Sequence, residues 1–138
     1  MSKMNPVVHF EMPSVDQKRM VDFYLKVFGW QSQMMGPDMG DYVVVQTTET
    51  DEKTRRPKNP GAINGGFFPR TDDHNTPTIV ISVDDIQEAM KKVREEGGKV
   101  IGGQHLGKPD DIPGVGLYIA IMDTEGNKIA LLQPSPMM

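Results

Sequence analysis

At 138 residues, with 37% apolar and 25% charged residues, the chain has the size and composition of one globular domain with its own core. A net charge of −4 provides no basic surplus for a phosphate backbone, and no apolar run is long enough to span a bilayer, so neither nucleic acid nor membrane is an expected partner. Zero cysteines exclude disulfides, thiolate metal sites and cysteine nucleophiles, and with no signal-peptide pattern at the start the expected location is cytoplasmic.

In chain order, residues 6–12 alternate as a half-buried strand does: Val8, Phe10 and Met12 face one way, Val7, His9 and Glu11 the other. Ser14 and Gln17 have capping-box spacing, which predicts a helix from about Val15. Met20, Phe23, Tyr24, Val27 and Phe28 supply its apolar face, and Gly29 ends it. Strands are expected at residues 30–35, 42–48 and 62–68. The charged, proline-containing stretch ETDEKTRRPKNPG between the last two reads as a mobile surface loop. Met34, Met35 and Met39 either line an adaptable apolar pocket or pack as an ordinary hairpin loop.

The second half repeats this order. PTIVISVDDIQEAMKKVREEGG predicts a strand with Ile79, Ile81 and Val83 on its apolar face, then a helix with Ile86, Ala89, Met90 and Val93, then a glycine stop. Strands follow at 100–105, 117–122 and 128–133. Asp16 and Asp85 stand 69 residues apart, as do Gly29 and Gly98, and the closing segments GAINGGFFP and GNKIALLQP both run nine residues to a proline. The chain is therefore expected to hold a β-α-β-β-β unit twice, at about 5–70 and 76–134, within a single domain spanning 1–138.

Such a repeat, with VVHFEMPSVDQKRMVDFYLKVFGW opening the first copy and MDTEGNKIALLQP closing the second, resembles the vicinal oxygen chelate superfamily over about residues 5 to 134. That superfamily includes glyoxalase I, extradiol dioxygenases and bleomycin resistance proteins. INGGFF with IPGVGLYIAIMDTEGN resembles a bacterial branch described only as glyoxalase-like. The resemblance implies an α+β fold in which two tandem βαβββ modules pair into a curved mixed-sheet cup with helices outside. His9 and Glu11 would then look into the cup, with Thr78, Val80 and Ser82 as inward residues of the second copy. It also implies a homodimer.

Metal enzymes of the superfamily take ligands from the first and last strand of each unit. By motif register and by counting, those positions read His9, Gly65, Thr78 and Ala130, with Asn64 or Gly66 in place of Gly65 if the register slips by one. Catalytic zinc needs about three protein donors, and non-haem iron two histidines and a carboxylate. Glycine and alanine offer none, and His9 with Glu11 makes only two. No metal site and no cofactor is expected. His74 and His105 read as solvated.

The expected function is therefore that of a glyoxalase-like protein holding a small, partly apolar molecule, with His9, Glu11, Asn64, Thr78, Ser82 and Tyr118 as ligand-binding candidates. The alternative is an enzyme of lyase, isomerase or dioxygenase type, either metal-dependent or using His9 and Glu11 as an acid/base pair.

Overall fold

The computed structural model describes residues 4–135. Its elements are β1 (Val7–Ser14), α1 (Gln17–Phe28), β2 (Gln31–Met34), β3 (Val43–Gln46), β4 (Asn64–Pro69), β5 (Thr78–Ser82), α2 (Ile86–Glu95), β6 (Lys99–Gly102), β7 (Asp110–Ile112), β8 (Gly116–Met122) and β9 (Lys128–Pro134). The chain is α+β, and the β-α-β-β-β order occurs twice. The short β7, which pairs with β8, is an addition within the second copy. A 3-10 turn over Pro37–Met39 also lay outside the sequence expectation.

Contacts divide the chain into two compact units. Residues 9–77 form one; residues up to Val8, with those from Thr78 onward, form the other. In the 9–77 unit the strand order is β2-β3-β4-β1, with β1 parallel to β4 and the other pairs antiparallel. Strand alternation sends Val43, Val45 and Phe67 to one face, where all three are fully buried. Phe10, Met12, Met20, Val21, Tyr24 and Trp30 pack against them, so this is the face α1 covers.

The other unit has the order β5-β9-β8-β6, with β5 parallel to β9. The start of β1 adjoins it, since the Ser82 N–H donates to the Pro6 carbonyl. Val83, Ile86, Met90, Ile119, Ile121 and Leu131 form its core, with Ala89 and Val93 of α2 packed on them. All four expected core positions of α2 therefore face inward.

Three local expectations are corrected. Ser14 does not cap α1: the strand runs on through it, opposite Pro69, and its hydroxyl donates to the Phe68 carbonyl. The N-cap is Asp16, whose carboxylate accepts from the Arg19 N–H, and Asp85 does the same for Glu88 in the second copy. Asp16→Ala is expected to lower stability by about 1 kcal/mol in urea unfolding. Second, Gly29 does take the left-handed conformation that ends α1, but in the second copy Gly97 does so rather than Gly98. Gly98 is instead confined by space, since a Cβ there would lie 2.8 Å from the Met122 carbonyl oxygen.

Third, Phe23, Val27 and Phe28 of the expected apolar face of α1 are more than half exposed. Trp30 folds back and stacks on Tyr24 at 4.7 Å and 11°, leaving Phe28 on the outside of that pair. The polar loop after β3 has an organised backbone: the Asp51 carboxylate accepts from the Lys53 and Thr54 N–H groups, and Thr50 bridges to Pro57.

Candidate functional site

On the face of the 9–77 unit opposite α1, alternation places His9 and Glu11 of β1 beside Gly66 of β4, with Val44 of β3 across from Gly66. Tyr42, the residue before β3, reaches the same face. Its hydroxyl donates to Glu11 Oε2 at 3.0 Å and lies 3.4 Å from His9 Nε2. The hydroxyl has one proton; with that proton on the carboxylate, its oxygen can only accept from Nε2–H. Glu11 is 7% exposed, so the tyrosine partner matters: a buried carboxylate left short of hydrogen bonds is costly.

Burial holds the His9 imidazole below its ordinary 6.5, leaving the ring neutral near neutral pH. Because the unfolded chain takes up the proton first, the stability linked to His9 is complete above about 6.5 and is lost as pH falls through the lowered folded value. The urea midpoint is expected to drop between about pH 7.5 and about pH 5.5, and to drop less in His9→Gln.

The pairing also revises the register obtained by counting. Glu11 faces Gly66 across the β1–β4 ladder, and Val80, 69 residues on, faces Ala130 across the β5–β9 ladder. Gly66, not Gly65, is therefore the counterpart of Ala130. Gly65 lies on the α1 face, where a Cβ would lie 2.5 Å from the Phe10 ring. Counting failed because it aligned the two closing prolines, whereas burial and strand pairing set the register.

Asn64 stands opposite His9 on the β1–β4 ladder, on the same face by alternation, and its side chain is held by the segment after β3: its Oδ1 accepts from the Thr47 N–H and its Nδ2 donates to Thr50 Oγ1, both at 2.9 Å. Thr78, Ser82 and Tyr118 belong to the other unit. There Ile81, Val83, Leu117 and Ile119 pack toward α2, so alternation sends the three candidates to the opposite face. Thr78 is buried, and Tyr118 sits across from Leu132 on β9. His105 is exposed as expected, but His74 is not simply solvated: its ring stacks on Phe68 at 3.7 Å. Tyr42 was missed in the sequence. The signal was there in DYVVV, where burial of Val43 and Val45 puts Tyr42 on the His9 face, but nothing in the spacing ties it to His9, 33 positions earlier.

Among the described residues of the His9 face, the side chains of a kind that ligates metal are His9 and Glu11, Glu11 accepts from Tyr42, and Gly66 carries no side-chain donor. Among the described residues, no group of three or more His, Asp or Glu side chains comes together that would hold a metal ion.

Two βαβββ units, each bearing a polar cluster or strand face opposite its helix, define the class of protein. A family model described as the Glyoxalase/Bleomycin resistance protein/Dioxygenase superfamily matches residues 7–131, and the chain belongs to that superfamily. Among solved structures, it is similar to a hypothetical protein from Bacillus halodurans C-125, with TM-score 0.68, 13% identity and 99% of each chain covered. It is also similar to methylmalonyl-CoA epimerase from Mycobacterium tuberculosis, with TM-score 0.63, 14% identity, and 94% of this chain and 88% of that one covered. A Streptomyces coelicolor methylmalonyl-CoA epimerase variant in complex with 2-nitronate-propionyl-CoA gives TM-score 0.67 and 13% identity, covering 97% of this chain and 100% of that one. At such identities the likeness is one of fold. No curated protein matches the sequence. Among the described residues, no helix is long and apolar enough to cross a membrane.

Proposed function

We propose that the protein binds a small, partly apolar molecule at the His9 face without a metal ion. The observation that carries this reading is the hydrogen-bonded series His9–Tyr42–Glu11, in which Tyr42 stands between the imidazole and the carboxylate and engages both. Val44, on the same face by alternation and exposed, adds apolar surface beside these polar groups. A few placed polar groups among apolar walls suit a small organic ligand. Binding of a coenzyme A ester by a relative of the same fold supports small-molecule recognition here, and leaves this chain's ligand to be identified by experiment.

A second reading follows from the same series. A neutral His9 can accept a proton at neutral pH, and Tyr42 and Glu11 can stabilise the charge it gains, so the site suits proton transfer in a lyase or isomerase reaction without a metal. The exposed Phe23, Val27 and Phe28 on α1 support a homodimer, which light scattering tests, and the proposed location is the cytoplasm.

Elemental mass spectrometry on untagged protein, before and after incubation with zinc, nickel, iron(II), manganese and cobalt, is the first test. The expected result is no metal retained after dialysis, followed by metabolites captured from a screen whose binding is weakened by His9→Ala. Stoichiometric metal that disappears in His9→Ala would overturn the metal-free reading. Turnover of a captured metabolite, lost in His9→Ala with the fold unchanged, would select the enzyme reading over sequestration.

A further inference from the structure

Strand β4 carries two adjacent buried glycines, neither at positive φ, so space rather than conformational freedom explains them. At Gly65 the space is taken by Phe10, on the α1 face. At Gly66 it is taken by Tyr42: an added Cβ would lie 1.9 Å from the phenol oxygen, 2.1 Å from Cζ and 2.4 Å from Cε1. The phenol thus fills the volume that any side chain at position 66 would need.

We propose that Tyr42, seated on Gly66, is a positioning residue that holds His9 with its proton on Nε2, so that Nδ1 is the acceptor the site offers to an O–H or N–H group of its ligand. The seating stands on the geometry, and the tautomer on that geometry with Glu11 ionised; the ligand's chemistry rests on the binding reading above. The donor order selects this tautomer when Glu11 carries its charge. With Glu11 ionised, the carboxylate cannot donate, the phenol proton lies on it, and the phenol oxygen is left to accept from His9 Nε2–H. A neutral imidazole protonated on Nε2 has a bare lone pair on Nδ1. Among the described residues the ring makes no other hydrogen bond. A neutral ligand with a hydroxyl or amide N–H complements that lone pair, whereas a carboxylate would set lone pair against lone pair.

The geometry makes two substitutions equivalent. Tyr42→Phe removes the hydroxyl, and Gly66→Ala displaces it, because the flexible phenol yields before the paired β4 backbone does. The test is long-range proton–nitrogen NMR of the His9 ring in ¹⁵N-labelled protein, about 1.5 pH units above the ordinary imidazole value of 6.5. In the wild type, Nε2 is expected to carry the proton and Nδ1 to resonate as a bare nitrogen. In both variants the two nitrogen shifts are expected to move toward each other as the tautomers mix, while the Val43 and Phe67 amide signals report an intact core. Phenol, added as the probe, is expected to move the wild-type Nδ1 signal upfield, and anisole, which lacks the proton, to leave it in place.

A proton found on Nδ1 in the wild type, or His9 shifts unchanged in both variants, overturns the proposal. A metabolite that binds the wild type with His9 nitrogens unmoved overturns it too, while leaving the binding reading intact. The expected nitrogen shifts with no binding of phenol or any metabolite would instead overturn the binding reading and support the tyrosine's role.

Discussion

Phe67→Ala is expected to lower the stability of the protein by about 3–5 kcal/mol, read from the urea midpoint at constant slope. Phe67 is fully buried at the centre of the 9–77 unit, against Val43 and Val45, with its ring 5.5 Å from that of Tyr24 on α1. Truncation removes the apolar transfer gain and leaves a cavity that the paired strands β1, β3 and β4 cannot close by collapsing. Set against a total of about 5–15 kcal/mol for an ordinary domain, the loss is large. It also reaches the site, because Phe67 anchors β4 from below while its neighbour Gly66 faces Tyr42 from above. The Tyr42–Glu11 hydrogen bond should therefore loosen along with the core. A cost under about 1 kcal/mol would mean that the helix side of β4 is not the core of this unit.

Gly116→Ala is expected to cost about 2–5 kcal/mol, combining backbone strain with overpacking. Gly116 opens β8 at φ +139°, a conformation that residues with a Cβ rarely adopt. An added Cβ would lie 2.0 Å from the Gln133 carbonyl oxygen and 2.9 Å from the Ser135 N. Both are backbone atoms: Ser135 N–H donates to the Val115 carbonyl, and Gly116 pairs with Pro134 across the β8–β9 ladder. Neither obstacle can rotate away as a side chain would, so the end of the hairpin must open. Gly36→Ala is the control, with ordinary φ and nothing within 4 Å of the added Cβ, and should change stability by less than about 0.5 kcal/mol. Equal midpoints for the two variants would refute this account of the G-V-G segment.

What could be read from the sequence was whatever local periodicity dictates. Period-two alternation put His9 and Glu11 on one side of β1 and Phe10 and Met12 on the other, because successive strand side chains must point to opposite faces. Period-3.6 spacing selected Ile86, Ala89, Met90 and Val93 of α2 correctly. The same rule misjudged α1, where Trp30, beyond the helix, stacked on Tyr24 and left Phe28 outside. The Ser14 cap failed for a related reason: β1 pairs with β4 through Ser14, and that pairing outweighs a local capping preference.

Recurring residue types at fixed spacing were enough to establish the repeated unit and the face on which His9 stands. That Gly66 rather than Gly65 faces the site, and that Tyr42 joins His9 and Glu11 there, emerged from the three-dimensional pairing of the strands. Strand register depends on which backbone groups pair across β1, β3 and β4. The place of a tyrosine 31 residues from its carboxylate partner depends on a volume left open by a glycine on a third strand. Neither quantity is local, so no pattern within a single segment could carry it.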